Sequence, residues 1–146
     1  MNNKFRLLIA FLLLTNIGYV LYILPRLPDI IPTHFNASGT IDGWGSKYSI
    51  FMLIGIQVLL NVLLEYAAMH PEKHNYIGTI TDENRDRQYA ASANLIRKLN
   101  VAVSVIFLTI SFAIVQQKMP TALIIIELVA LFALIIGHLI RSSKTR

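Results

Sequence analysis

The chain of 146 residues contains no cysteine, and charged residues make up only 14% of it. The absence of cysteine excludes disulfide bonds, thiolate metal sites and thiol nucleophiles. Hydrophobic residues make up 55% of the chain. This combination of little charge and much hydrophobic content differs from the composition of an ordinary soluble protein. Composition therefore indicates an integral membrane protein.

Four apolar runs are long enough to cross a bilayer. They cover residues 7–24, 50–69, 99–115 and 119–140. About 20 apolar residues at a rise of about 1.5 Å each span a hydrocarbon core of about 30 Å. We therefore predict an all-α membrane protein with one four-helix transmembrane domain over residues 1–146. The first run exceeds the usual h-region of a signal peptide, about 7–15 residues, so we expect it to remain as a membrane helix.

Basic residues are distributed unevenly between the two sides of this four-pass arrangement. The chain has 13 Lys and Arg residues against 8 Asp and Glu residues. Ten of the thirteen lie before the first run, between the second and third runs with their flanks, or in the C-terminal tail, and the other three are Arg26, Lys47 and Lys118. The positive-inside rule predicts that both termini are cytoplasmic and that residues 25–47 face outward. Because topology accounts for the positive charge, we expect no direct nucleic-acid partner.

The outer loop, residues 25–47, has the sequence PRLPDIIPTHFNASGTIDGWGSK. Its three prolines restrict φ, and its three glycines supply the positive φ that tight turns need. We therefore predict an ordered Pro/Gly-rich loop that holds one shape. Each polar residue alone has an ordinary structural explanation as a turn residue. The combination of restraints with groups that donate and accept hydrogen bonds favours a recognition surface.

The inner loop, residues 70–98, has an irregular first part and a helix-forming second part, DENRDRQYAASANLIRKLN. Thr79 or Thr81 is a candidate N-cap for this helix. Apolar positions recur at helical spacing beside a cationic face, so we predict an inner amphipathic helix that continues into the third membrane helix. Membrane lipid is its expected partner, and a docking surface for a cytoplasmic protein is the alternative.

Side-chain amides interrupt the first two apolar runs at Asn16, Gln57 and Asn61. Amides in a hydrocarbon environment usually face other helices, where they form hydrogen bonds. We expect these three residues to join helices and to carry no chemistry.

Glu127 lies in the apolar context IIIELVA of the fourth run. A carboxyl group at this depth should face the bundle and be either protonated or paired with a donor. The predicted topology places it beneath the outer loop. We therefore expect His34, Arg26 or Lys47 as its partner, in one outward-facing polar site.

Histidines cluster weakly at the inner ends of the helices. His70, His74 and His138, with Glu65 nearby, are potential metal ligands. Pro71 interrupts a helix through the first two, and the H-E-x-x-H pattern of zinc hydrolases is absent. We interpret them as polar helix ends and predict neither a metal site nor a cofactor.

The stretch from Ile31 to Lys47, IPTHFNASGTIDGWGSK, resembles a known signature. The signature is I-P-x-H-[FW]-x-x-x-G-x-x-D-x-x-x-[SG]-K, from the N-terminal domain, of unknown function, of SdpI-type bacteriocin-immunity membrane proteins. Residues 83–96, with the sequence ENRDRQYAASANLI, are similar to a segment that follows the second helix in short stand-alone members. SdpI itself is longer and has additional membrane helices.

The resemblance implies a bacterial, chiefly Gram-positive, plasma-membrane protein. Its family precedent is immunity to a secreted toxic peptide, coupled to membrane sequestration of a cytoplasmic repressor. A peptide toxin at the outer face and a repressor at the inner face are therefore its implied partners.

We expect the outer loop to recognise a peptide or envelope ligand, in bacteriocin immunity or sensing, without enzymatic activity. The predicted ligand-binding residues are Pro32, His34, Asn36, Gly39, Asp42, Trp44, Lys47 and Glu127. The alternative is a small proton- or cation-coupled transporter, or a transporter accessory subunit, in which Glu127 and His34 handle the ion and the chain forms a homo-oligomer. A membrane-embedded hydrolase ranks third, because no clear nucleophile-base pair is present.

Overall fold

The computed structural model, which describes residues 3–144 and the side chains of residues 3–142, consists of long helices and one β-hairpin. The elements are α1 Asn3–Ile23, β1 Ile30–Phe35, β2 Ile41–Ser46, α2 Ile50–Met69, α3 Arg85–Gln116 and α4 Thr121–Lys144. Within the described part of the chain, four helices are long and apolar enough to cross a membrane. The predicted all-α membrane fold is confirmed.

Helix α3 occupies the centre of the bundle. It packs against α1 and α2 over much of their length and against α4 on another side, whereas α1 and α2 touch each other less. Helix α4 packs chiefly against α3, and none of its most apolar stretch is buried within the protein. Exposed apolar side chains on α4, such as Ile126, Val129 and Phe132, are suited to contact with lipid.

The hairpin lies at one end of the bundle, which we call the hairpin end. The opposite end carries Asn3 and Lys144, and we call it the termini end. Helix α3 begins at Arg85, so the predicted amphipathic helix and the third membrane helix form one continuous helix. It ends at Gln116, the following residue Gln117 has a left-handed φ of 52°, and α4 begins at Thr121.

Residues 25–47, predicted as an ordered Pro/Gly-rich loop, contain two β-strands that the prediction did not include. β1 and β2 pair antiparallel, with Ile31 opposite Gly45 and Pro32 opposite Trp44. The β1 sequence IIPTHF is rich in β-branched and aromatic residues, which favour strands. A proline is tolerated there because both strands of a lone hairpin are edge strands.

Side-chain donors cap the carbonyl end of α2, where backbone oxygens lack partners within the helix. The hydrogen bonds run from His70 Nδ1 to Tyr66 O at 2.8 Å, from His74 Nε2 to Ala67 O at 2.9 Å, and from Arg97 Nη2 to Ala68 O at 3.4 Å. Cationic and donor groups are favourable at this end of a helix because of its partial negative charge. His70 and His74 therefore act on the backbone of α2, whereas His138 lies in α4.

Candidate functional site

One fully buried isoleucine, Ile31 of β1, attaches the hairpin to the helices. It belongs to an apolar cluster with Val20 of α1, Ile50 of α2 and Ile114 of α3. Complete burial of such a side chain contributes about 2 kcal/mol. Because the cluster draws on β1 and three helices, the hairpin is held in a fixed position over the bundle.

The turn of the hairpin is organised by Asn36. Its Oδ1 accepts hydrogen bonds from Ser38 N at 3.0 Å, Ser38 Oγ at 2.7 Å and Thr40 N at 3.0 Å. Asn36 was predicted to bind ligand, and in the structure its side-chain oxygen is engaged within the turn.

Gly39 brings the tip of this turn against the start of α4. Its φ of 81° is left-handed, and a Cβ placed on it would lie 2.3 Å from Thr121 Oγ1. Glycine is therefore required here by both backbone conformation and space. Gly39 and the buried Pro32 shape and anchor the hairpin, and their predicted contact with ligand stays a prediction.

The face of the hairpin directed away from the helices is open and polar. Its β2 side chains alternate, so that Asp42, Trp44 and Ser46 are exposed together. Asp42 Oδ1 is hydrogen-bonded to His34 Nδ1, and the two side chains are 44% and 70% exposed. The indole of Trp44 is half exposed on the same face. The structure thus brings together His34, Asp42 and Trp44 on a rigid support.

An apolar cleft of about 240 Å³ lies beneath β1, between the hairpin and the ends of α2 and α3. Its walls include Pro32, His34, Phe35, Leu53, Ile110 and Met119. His34 lines this cleft and also pairs with the exposed Asp42, so it stands where the polar face and the apolar cleft meet. The arrangement suits a ligand that presents an apolar group beside a polar one.

Lys47 and Arg26 flank the hairpin at its base. Lys47 Nζ forms an ion pair with Asp29 Oδ1 at 2.9 Å, and the Lys47 backbone N–H donates to Asp29 O, also at 2.9 Å. Arg26 Nη1 donates to Tyr22 O at 2.7 Å, and its guanidinium lies 4.3 Å from the centre of the Tyr22 ring. Lys47 therefore closes the base of the hairpin, and its predicted role in ligand binding stays a prediction.

Glu127 faces the bundle as expected but pairs with α3 and not with the hairpin. Thr109 Oγ1 donates to Glu127 Oε1 at 2.7 Å. The prediction that His34, Arg26 or Lys47 is its partner is wrong, because those three side chains are engaged within and around the hairpin. The other carboxyl oxygen, Oε2, is buried and has no hydrogen-bond partner among the described residues.

The predicted amides do join helices. Asn16 Nδ2 on α1 donates to Gln57 Oε1 on α2 at 2.7 Å. One turn further along α2, Asn61 Nδ2 donates to Asn100 Oδ1 at 2.7 Å and to Ser104 Oγ at 3.0 Å, both on α3. Their expected role between helices is confirmed.

Sequence reasoning missed the polar stripe on α3 that meets these amides. Its buried members are Gln88, Ser92, Arg97, Asn100, Ser104 and Ser111. Several are spaced by four or seven residues, which places them on one face of a helix. Small and polar side chains at such spacing in an apolar run were the available signal for the buried face of α3.

The segment before α3 is tied down by local contacts. Thr81 Oγ1 accepts from Asn84 N at 3.3 Å, and Asn84 Oδ1 accepts from Thr81 N at 2.9 Å. The N-cap of α3 is Asn84, so the prediction of a cap at Thr79 or Thr81 is wrong, and these bonds stabilise the turn before the helix. Tyr76 stacks between His74 and Tyr89, and its hydroxyl donates to Pro71 O at 2.7 Å. The irregular part of residues 70–84 is therefore folded back against α2 and α3.

Comparison with known families finds a domain of unknown function, DUF1648, at residues 11–58. The match covers most of α1, the whole hairpin and the first part of α2. No curated protein and no solved structure matches the chain. The matched domain is thus the part of the chain that builds and supports the hairpin.

Proposed function

We propose that this protein is a multi-pass plasma-membrane protein whose hairpin faces the exterior and recognises a peptide or envelope ligand, in bacteriocin immunity or sensing. The observation that carries the proposal is the open face with His34, Asp42 and Trp44 above an apolar cleft of about 240 Å³. Membership in the SdpI-type family is part of this proposal. The DUF1648 match at residues 11–58 agrees with it.

Rigidity of the hairpin supports a recognition role. Ile31 at its root, Gly39 at its tip and the Lys47–Asp29 ion pair at its base hold it on three sides. A preorganised surface loses little conformational entropy when it binds, so more of the contact energy appears as affinity. A loop that merely connects two helices has no use for these restraints.

The chemistry of the surface indicates the class of ligand. Tryptophan is enriched among the residues that dominate binding energy at protein interfaces, and Trp44 is exposed beside a polar pair. The cleft has room for an apolar group between β1 and the adjoining ends of α2 and α3. A membrane-active amphipathic peptide offers both features, because it lies at the interface with one apolar face.

Orientation is tested first, and the absence of cysteine makes the experiment simple. Ala37 is exposed near the hairpin tip, and Glu83 is exposed at the termini end. We expect a membrane-impermeant maleimide to label Ala37→Cys in intact cells and to label Glu83→Cys only after lysis. Labelling of Glu83→Cys alone in intact cells would contradict the proposed topology.

Recognition is tested by killing assays with a panel of membrane-active peptides. Cells that produce the protein should survive at higher concentrations of at least one peptide than cells that lack it. Trp44→Ala should weaken binding of that peptide by about 30-fold, the effect of losing about 2 kcal/mol at an interface. Lys118→Gln is the matched control, since Lys118 is exposed at the same end of the bundle but outside the hairpin. Equal sensitivity of all strains to every peptide counts against recognition.

A second candidate function is a small proton- or cation-coupled transporter. It is favoured by the half-buried Glu127, with one carboxyl oxygen unbonded among the described residues, and by the amides buried between α1, α2 and α3. Flux in proteoliposomes that disappears in Glu127→Gln, with folding unchanged, would favour transport. Recognition by the hairpin predicts no such flux.

A further inference from the structure

A cavity of about 300 Å³ lies between α3 and α4 at the termini end of the bundle. Three cationic side chains line it, Arg87 and Lys98 from α3 and Arg141 from α4, together with the imidazole of His138 from α4. No acidic side chain lines it among the residues that the structure describes. The cavity is therefore suited to an anion.

The remaining walls of the cavity combine polar and apolar surface. Gln88 and Ser142 are buried, and Ser142 Oγ donates to Gln88 Oε1 at 3.5 Å across the two helices. Ala91 and Leu95 of α3 add apolar surface. The lining thus combines neutral polar, cationic and apolar side chains. This combination matches the part of a phospholipid where the head group joins the glycerol.

The position of the charges on two different helices gives them a role in packing. Helix α4 packs chiefly against α3, and Lys98 and Arg141 face one cavity from the two sides. An anion bound to both side chains would bridge the two helices, so it would hold α4 against α3.

The depth of the cavity identifies the source of the anion. Lys98 immediately precedes the apolar run 99–115, and Arg141 immediately follows the run 119–140. Both residues therefore lie at the level of the lipid head groups. Basic pockets between membrane helices at this level bind anionic head groups, and guanidinium groups are well matched to phosphate oxygens.

We propose that this cavity binds the head group of an anionic phospholipid, with the phosphodiester between Lys98 of α3 and Arg141 of α4. The site is separate from the hairpin and independent of any ligand the hairpin takes. Bound lipid would fix the angle between α4 and the rest of the bundle.

The test compares lipid binding to the purified full chain by native mass spectrometry and by thermal unfolding, with phosphatidylglycerol and phosphatidylcholine as probes. We expect phosphatidylglycerol to be retained preferentially and to raise the unfolding temperature. Lys98→Gln and Arg141→Gln should each weaken its binding about fivefold, the effect of about 1 kcal/mol per cation near the membrane surface. Ala91→Phe should abolish binding by filling the cavity, with every charge unchanged.

The matched control is Lys4→Gln, because Lys4 is an exposed cation at the termini end of α1, outside the cavity. This variant should bind phosphatidylglycerol like the wild type. Equal weakening in Lys4→Gln, or normal binding in Ala91→Phe, would show general attraction between charges and overturn the proposal. If millimolar inorganic phosphate stabilised the protein as much as phosphatidylglycerol does, the ligand would be a soluble anion and not a lipid. If the protein showed no preference for phosphatidylglycerol over phosphatidylcholine, the proposed site would not exist.

Discussion

Thr109 on α3 donates a hydrogen bond of 2.7 Å to Glu127 on α4, and this contact is a polar link between these helices in the hairpin half of the bundle. Because α4 packs chiefly against α3, this pair adds a polar contact to the interface that holds α4 in the bundle. Glu127, the most unusual residue of the fourth apolar run, thus has a structural role that its position alone did not reveal.

The Thr109–Glu127 pair leads to the first prediction. Glu127→Leu and Thr109→Val should each destabilise the protein by about 1 kcal/mol, and the double variant should lose little more than either single variant. Glu127→Gln should keep near wild-type stability, since an amide oxygen also accepts from Thr109. Equilibrium unfolding in mixed micelles measures these free energies. Additive losses would mean that the two side chains do not interact.

The second prediction concerns Asn16 and Gln57, which are fully buried between α1 and α2. A cycle of Asn16→Leu, Gln57→Leu and the double variant should yield a coupling energy of about 0.6 kcal/mol, the average for interhelical hydrogen bonds in membranes. Each single variant leaves one buried amide without its partner. The stability losses of the two single variants should therefore add up to more than the loss of the double variant. Asn16→Leu combined with Tyr76→Phe is the control, and its effects should add because no contact joins those residues.

The third prediction concerns Gly39 at the tip of the hairpin. Gly39→Ala should destabilise the protein by about 1–2 kcal/mol, because alanine is strained at a φ of 81° and its Cβ would lie 2.3 Å from Thr121 Oγ1. Thermal unfolding measures the loss, and faster labelling of Ala37→Cys in the same background would report a displaced hairpin tip.

Gly18 and Gly55 provide the control for Gly39. A Cβ at either position meets no atom within 4 Å, so Gly18→Ala and Gly55→Ala should leave stability unchanged or slightly increased. If Gly39→Ala behaved like these two variants, the contact between the hairpin tip and α4 would not stabilise the fold.

The fourth prediction is a pH dependence. Burial raises the pKa of the Tyr76 phenol above its ordinary value of 10.0. The folded protein therefore retains this proton at pH values where the unfolded chain releases it. The resulting stability is complete below pH 10.0 and decreases as the pH rises further. Tyr76→Phe should remove this part of the decrease in alkaline unfolding experiments.

Tyr48→Phe is the control for Tyr76, since the Tyr48 ring is exposed beside the hairpin. Tyr76→Phe should also cost about 1 kcal/mol at neutral pH, because the hydroxyl no longer donates to Pro71 O. Identical alkaline profiles for Tyr76→Phe and the wild type would show that the phenol is not buried.

Much of the candidate site was visible in the sequence as a set of residues but not as an arrangement. His34, Asp42 and Trp44 were predicted to bind ligand, and the structure brings them together on one exposed region. Asn36 and Lys47 carry the same donor and acceptor chemistry, yet both serve the turn and the base of the hairpin. Sequence cannot separate the two groups, because strand pairing and register decide which side chains remain free.

The apolar runs alone determined the number of membrane helices, since a hydrocarbon core of about 30 Å requires about 20 apolar residues with every backbone group bonded internally. The prolines and glycines of residues 25–47 likewise determined that the connection between α1 and α2 is ordered. Only the tertiary structure decided that Glu127 meets Thr109, that α3 lies at the centre and that an apolar cleft opens beneath β1. These features depend on how each helix is rotated and where it crosses its neighbours, which results from side-chain packing between residues far apart in the chain.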